Sequence, residues 1–130
     1  MHRTLVAISL GASLGAILRW QVGNWLNPVC ALFPVGTLAV NVAGSLVFGL
    51  ATGVFEAMPQ LAPEWRLAIV TGFLGALTTF STFAAEMGTL IVQHKFVTAL
   101  VGMLLHVGGS VAAFLLGLWL WHLLASHWTA

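Results

Sequence analysis

The chain is 130 residues long, 60% hydrophobic and 5% charged, with four basic and three acidic side chains and a formal net charge of +1. Soluble domains carry about 25% charged residues to face water, so this composition, with a mean hydropathy of +1.04, excludes a soluble surface and makes lipid the natural solvent. The near-neutral balance gives no reason for a nucleic-acid partner, and the single cysteine, Cys30, excludes an internal disulfide.

A helix needs roughly 20 apolar residues to cross the hydrocarbon core, so a chain of this length holds about four spans in one transmembrane domain covering 1–130. The start, Met1-His2-Arg3 followed by an apolar run, superficially resembles a signal peptide. Three more apolar stretches follow, however, and Arg19-Trp20 stands where small residues would mark cleavage. The first span is predicted over about 4–26, stopped by Asn27-Pro28. The second is expected over about 33–55, with Pro34 tolerated in its first turn. Glu56 to Glu64 holds two prolines and two acids and reads as a loop. A third span is predicted over about 65–92 and a fourth over about 97–124, linked by Gln93-His94-Lys95. Trp20, Trp25, Trp65, Trp119, Trp121 and Trp128 fall near these limits, as interfacial anchors do.

Four spans put Arg3 and Arg66 on one side of the membrane and Lys95 on the other, with Arg19 inside a span near that second side. The positive-inside rule finds too little bias here to choose one orientation. Insertion both ways, with assembly as an antiparallel dimer, is the expectation.

Polar side chains lie in stripes along three spans. Thr37, Asn41 and Ser45 share one helical face; Thr78, Thr82 and Glu86 share another; His106 and Ser110 share a third. Helix packing alone accounts for many such Ser and Thr residues, whose interhelical bonds contribute about 0.6 kcal/mol on average. Asn41 asks more, because hydrocarbon satisfies none of the donors and acceptors of a carboxamide. An ionised Glu86 would cost about 2.5–3.5 kcal/mol at mid-membrane, so it is either functional, neutral or snorkelling to the interface. Arg19 offers the same choice between a snorkelling or clamping side chain and a place near a permeation mouth.

The stretch Gly72 to Phe83 places two glycines, Gly72 and Gly75, and four hydroxyl residues, Thr78, Thr79, Ser81 and Thr82, in the middle of the third span. Two readings stay open: a continuous helix closely packed at its glycines, or a break whose free carbonyls, Gly75 to Thr78, coordinate a cation. Phe80 and Phe83 project from nearly the same face. Ordinary packing explains most such pairs, yet the positive ring edges can also contact an anion. A cation pathway would show rings of acids; the inventory here is mainly neutral donors, which leans towards an anion.

Three segments carry a resemblance: Gly11-x-x-x-Gly15-Ala16-x-x-Arg19-Trp20, Gly36-Thr37-Leu38-x-Val40-Asn41-x-x-Gly44-Ser45 and Gly72-x-x-Gly75-x-x-Thr78-Thr79-Phe80-Ser81-Thr82-Phe83. In order and across the whole chain, they resemble the signatures of the Fluc (CrcB-type) fluoride channel family; the third is the most specific. The resemblance implies an all-α integral membrane protein whose third helix is broken mid-membrane. It implies an antiparallel dual-topology homodimer with two pores, passively exporting fluoride across the bacterial inner membrane. It further implies that Asn41, Phe80 and Phe83 line the fluoride path, with Thr37, Ser81, Thr82, Glu86, His106 and Ser110 along the polar track. Arg19 would face an aqueous vestibule. A structural Na+ ion would be held at the dimer centre by backbone carbonyls of Gly75 and Thr78 from both subunits.

Some positions depart from the family pattern. Ala12 and Trp20 stand where Gly and Tyr are frequent, Ala76-Leu77 replaces a Gly-Phe pair, and Phe114 interrupts a polar track continued beyond Ser110. A small drug/proton antiporter would share the four-span dimer, but such a protein rests on a carboxylate in its first span, and this one has none. A non-transporting helical assembly protein would use the stripes for packing alone. The chain has no Asp and no catalytic constellation, so an enzyme is not expected.

Overall fold

The structure, a computed structural model, describes residues 1–126; Trp128, one of the expected interfacial tryptophans, lies outside the described residues. The chain forms helix α1 (His2–Leu26), a short 3-10 turn (Asn27–Val29), α2 (Val35–Ala57), α3 (Pro63–Arg66), a π-helical segment (Leu67–Leu74), α4 (Gly75–Leu77), α5 (Phe80–Val92) and α6 (Phe96–Ser126). Among the described residues, four stretches are long and apolar enough to cross a membrane: His2–Val29, Val35–Ala57, Pro63–Val92 and Phe96–Ser126.

Local chemistry sets these limits. Pro34 stands just before α2 as its N-cap, not inside the first turn as the sequence reading placed it. Helix α2 runs on through Glu56 and Ala57, residues expected in the loop, because the first proline that stops the chain is Pro59. Pro63 opens α3, where the fixed φ of proline suits a first turn. At the α5–α6 turn His94 adopts φ 60°, the left-handed conformation usually given to glycine. The His94 N–H donates to the Ile91 carbonyl and the Lys95 N–H to the Leu90 carbonyl, the bonding pattern of a Schellman cap.

In lipid, apolar burial gives no drive for helix association, so close backbone approach and dispersion must supply it. Glycine provides the approach. A Cβ added at Gly11 would collide with the Ala68 carbonyl, one at Gly15 with the Phe73 carbonyl, and one at Gly72 with the Ile8 carbonyl. These contacts lay α1 along the π segment. Helices α2 and α6 pack on each other in the same way, with Gly49 against the Phe114 carbonyl and Gly117 against the Leu46 carbonyl. The enclosed side chains form two small clusters: Val40, Leu74 and Leu77 between α2 and the third span, and Phe83, Met87, Leu90 and Ala99 between α5 and α6.

Phe80 has the opposite environment. It remains 78% exposed at the first position of α5.

Two expectations follow. Gly49→Val should lower thermal stability in detergent by about 1–3 kcal/mol, the usual penalty of overpacking, whereas Gly108→Ala should change it little, since a Cβ there meets nothing within 4 Å. His94→Gly should raise stability by up to about 1 kcal/mol by relieving the left-handed backbone. Thermal unfolding of the purified protein reads both.

Candidate functional site

Between α4 and α5 the chain is extended for two residues. Thr78 has φ -80° and ψ 155°, and Thr79 has φ -151° and ψ 118°. Helix α5 restarts with Thr79 as its N-cap: the Thr79 hydroxyl oxygen accepts the Thr82 N–H at 3.1 Å and also lies 3.0 Å from the Thr82 hydroxyl. A Thr at this position satisfies one of the free N–H groups of a helix start.

Asn41 fastens this extended pair to α2. Its Oδ1 accepts the Thr79 N–H at 2.7 Å, and its Nδ2 donates to the Thr79 carbonyl at 3.1 Å. The same Nδ2 lies 3.1 Å from Nδ1 of His106 on α6. Asn41, Thr79 and His106 are all buried, His106 most deeply at 3% exposure. The His106 ring is flanked by Phe83, with centroids 4.6 Å apart, and by Phe33 at 5.9 Å. Phe80 and Phe83 meet edge to face at 5.5 Å.

These residues open onto a cavity of about 360 Å³ whose walls include Asn41, Ser45, Gly75, Thr78, Thr79, Phe80, Phe83, His106 and Ser110. The cavity lining contains no acid, lysine or arginine. A second cavity of about 540 Å³ takes Arg19, Thr37 and Thr82 in its wall, with Thr79 shared between the two. A third, of about 440 Å³, takes Thr82, Glu86 and Lys95. The Thr37 hydroxyl donates to Glu86 Oε1 at 2.5 Å, tying α2 to α5 between the second and third cavities. Ser81 is exposed and lines none of these three; its hydroxyl lies 3.4 Å from that of Thr79.

Apart from Ser81, the sequence-predicted residues lie in the walls of these three cavities. Thr79, noted in the sequence only as one of four clustered hydroxyl residues, lines both the first and the second. A Ser/Thr just before a helical run is the usual cap signal, but four hydroxyl residues crowd this segment and the sequence does not single out the cap.

The interruption also frees carbonyls. In an uninterrupted helix the Gly75 carbonyl accepts from the Thr79 N–H and that of Thr78 from the Thr82 N–H. Here the first N–H turns to Asn41 and the second to the Thr79 hydroxyl. Hard oxygen donors of this kind suit a small alkali cation, so Gly75 and Thr78 fit the Na+ that the family resemblance implies. Two carbonyls form only part of a coordination shell; a second copy of the chain would double them.

Residues 6–118 match the family described as CrcB-like protein, Camphor Resistance (CrcB). The chain belongs to the CrcB family. A relative from Chromohalobacter salexigens is 52% identical over 118 residues, covering 91% of this chain and 89% of the relative. One from Desulfovibrio desulfuricans is 50% identical, covering 91% and 92%, and one from Pseudomonas aeruginosa is 48% identical, covering 91% and 93%. Each of the three carries the name fluoride-specific ion channel FluC, the name of a channel and not of an enzyme. Family and spans together make this CrcB chain a multi-pass membrane protein.

Removing the Asn41 amide should expose the importance of the clamp. Asn41→Ala leaves the buried Thr79 N–H and carbonyl without their side-chain partner, at about 1–3 kcal/mol for each unsatisfied group. A fall in thermal stability of about 2 kcal/mol or more is expected. An unchanged unfolding midpoint would show that the clamp carries no weight.

Proposed function

We propose that this CrcB protein is a fluoride-selective channel that passively exports fluoride across the bacterial inner membrane, as an antiparallel dual-topology homodimer with two pores. The observation that carries this reading is the uncharged cavity walled by Asn41, Phe80, Phe83, His106 and Ser110, in a chain whose relatives are named as fluoride channels. Fluoride is small and strongly hydrated, so a pathway must replace its water with several close donors. A fixed buried cation would hold the ion too tightly, while neutral hydroxyls, N–H groups and aromatic edges at several sites permit both entry and exit.

Each group has a place in this reading. Arg19, in the wall of the second cavity, raises the local anion concentration at a vestibule. Thr37, Thr82 and Glu86 continue the polar track through the second and third cavities, Ser110 extends it along the first, and Ser81 joins it through the Thr79 hydroxyl. The edges of Phe80 and Phe83 face the ion. The exposure of Phe80 supports the dimer, since a ring left 78% uncovered at the cavity wall finds its complement on a second chain. The two-residue interruption at Thr78-Thr79 is taken as the mid-membrane break of the third span. Gly75 and Thr78 carbonyls, doubled by the partner copy, would hold Na+, which would supply positive potential near the pathway.

Purified protein in liposomes should release fluoride electrogenically, read with a fluoride-selective electrode, and release little chloride under the same gradient. Replacing both Phe80 and Phe83 by Ala should lower the flux by about tenfold or more, from the lost ring contacts. Flux that survives the double substitution would reject the aromatic role, and no flux from the unaltered protein would reject the channel reading. Exchange of Na+ for a bulky organic cation throughout purification should also reduce flux; full flux without Na+ would remove the ion from the assembly.

A further inference from the structure

Resting on the channel reading, we infer that Asn41 acts as a positioning residue that fixes the tautomer of His106, so that the ring offers the cavity an N–H donor at Nε2.

The orientation of the Asn41 amide follows from its backbone partners. The Thr79 N–H can only donate and the Thr79 carbonyl can only accept, so Oδ1 faces the first and Nδ2 the second. A flipped amide would set oxygen against oxygen and hydrogen against hydrogen. Nδ2 carries two hydrogens and has two neighbours placed to receive them, the Thr79 carbonyl and His106 Nδ1, each at 3.1 Å. Nδ1 of His106 is therefore an acceptor. A neutral imidazole that accepts at one nitrogen carries its proton on the other. The proton lies on Nε2.

Nε2 is buried and has no hydrogen-bond partner among the described residues. His106 is 97% buried by its 3% exposure, and it lines the cavity beside Phe80, Phe83 and Ser110. A buried N–H left unsatisfied in a folded protein marks the place of a water or an ion. An anion completes it; a metal cation, which needs a lone pair, does not. Asn41 itself has spent both amide hydrogens on protein acceptors. The free donor at this level is the imidazole N–H, with the carboxamide acting through it. The arrangement gives a directional donor without a formal charge, and Phe83 stacked at 4.6 Å holds the ring plane.

The test is nitrogen-15 NMR of the wild-type protein labelled at histidine and asparagine in liposomes, with His106 assigned by difference from a His106→Phe sample. The expected spectrum has Nδ1 unprotonated and Nε2 protonated, with a coupling across the Asn41 Nδ2–H···Nδ1 hydrogen bond. Added fluoride should move the Nε2 resonance, and chloride at the same concentration should not. A proton on Nδ1, a doubly protonated ring, or an Nε2 indifferent to fluoride would overturn the inference. Asn41→Asp puts an acceptor where the amide hydrogens stood and should transfer the proton to Nδ1; an unchanged His106 spectrum in a folded variant would remove the positioning role. Because the coupling is read in the unaltered protein, the inference stays exposed even where that variant does not fold. Electrode flux from the same liposomes separates the two levels. Fluoride release with the opposite tautomer defeats this inference alone, while no release defeats the channel reading and the inference together.

Discussion

One carboxamide fastens the extended pair Thr78-Thr79 between α4 and α5. Without Asn41, Thr78-Thr79 would present an N–H and a carbonyl to hydrocarbon, and each would favour winding back into the helix to recover a partner. With Asn41 in place, the N–H and carbonyl of Thr79 are both bonded and the segment is stable in an extended shape. The other features of the site depend on this. Thr79 can cap α5, the Gly75 and Thr78 carbonyls lose their helical donors, and Phe80 begins a new helix in a direction that leaves its ring on the surface.

Much of this was legible in the residues, and the illegible part has a physical cause. Span number followed from apolar length, whereas the close approach of α1 at Gly11 and Gly15 came only with the structure. Two readings of Gly72 to Phe83 stayed open because glycine and threonine serve a close-packed helix and an interruption equally well. The bonds that hold the extended Thr79 come from Asn41, 38 residues earlier in the chain. Likewise the stripe Thr37, Asn41, Ser45 was visible as a face, but not that Asn41 turns towards Thr79 and His106 while Thr37 turns towards Glu86. Pro34 shows the same limit at an end: proline suits either the first turn or the position before it, and packing at Gly36, whose N–H is held by Asn27 Oδ1 at 2.8 Å, settles the start.

The chemistry of the cavity is restrained by what lipid permits. A charged lining would be costly to insert, and the three acids and four bases of this chain are spent almost wholly at helix ends, loops and the two outer cavities. What remains in the wall of the first cavity are uncharged groups: hydroxyls, an imidazole and ring edges. In the proposed channel, such donors would hold an anion weakly one at a time. Strength comes from their number, and speed from the weakness of each.

Contacts between glycine and main-chain carbonyl join α2 to α6 through Gly49, Phe114, Gly117 and Leu46, and they use backbone atoms on one side of every pair. Any residue at 114 or 46 would bring the carbonyl that these contacts use. Sequence drift is thus unevenly licensed along these helices. The glycines tolerate almost no change, while the carbonyl each one meets outlasts replacement of the residue that carries it. Phe114 brings more than its carbonyl, since its ring also meets Phe48 of α2 edge to face at 5.7 Å.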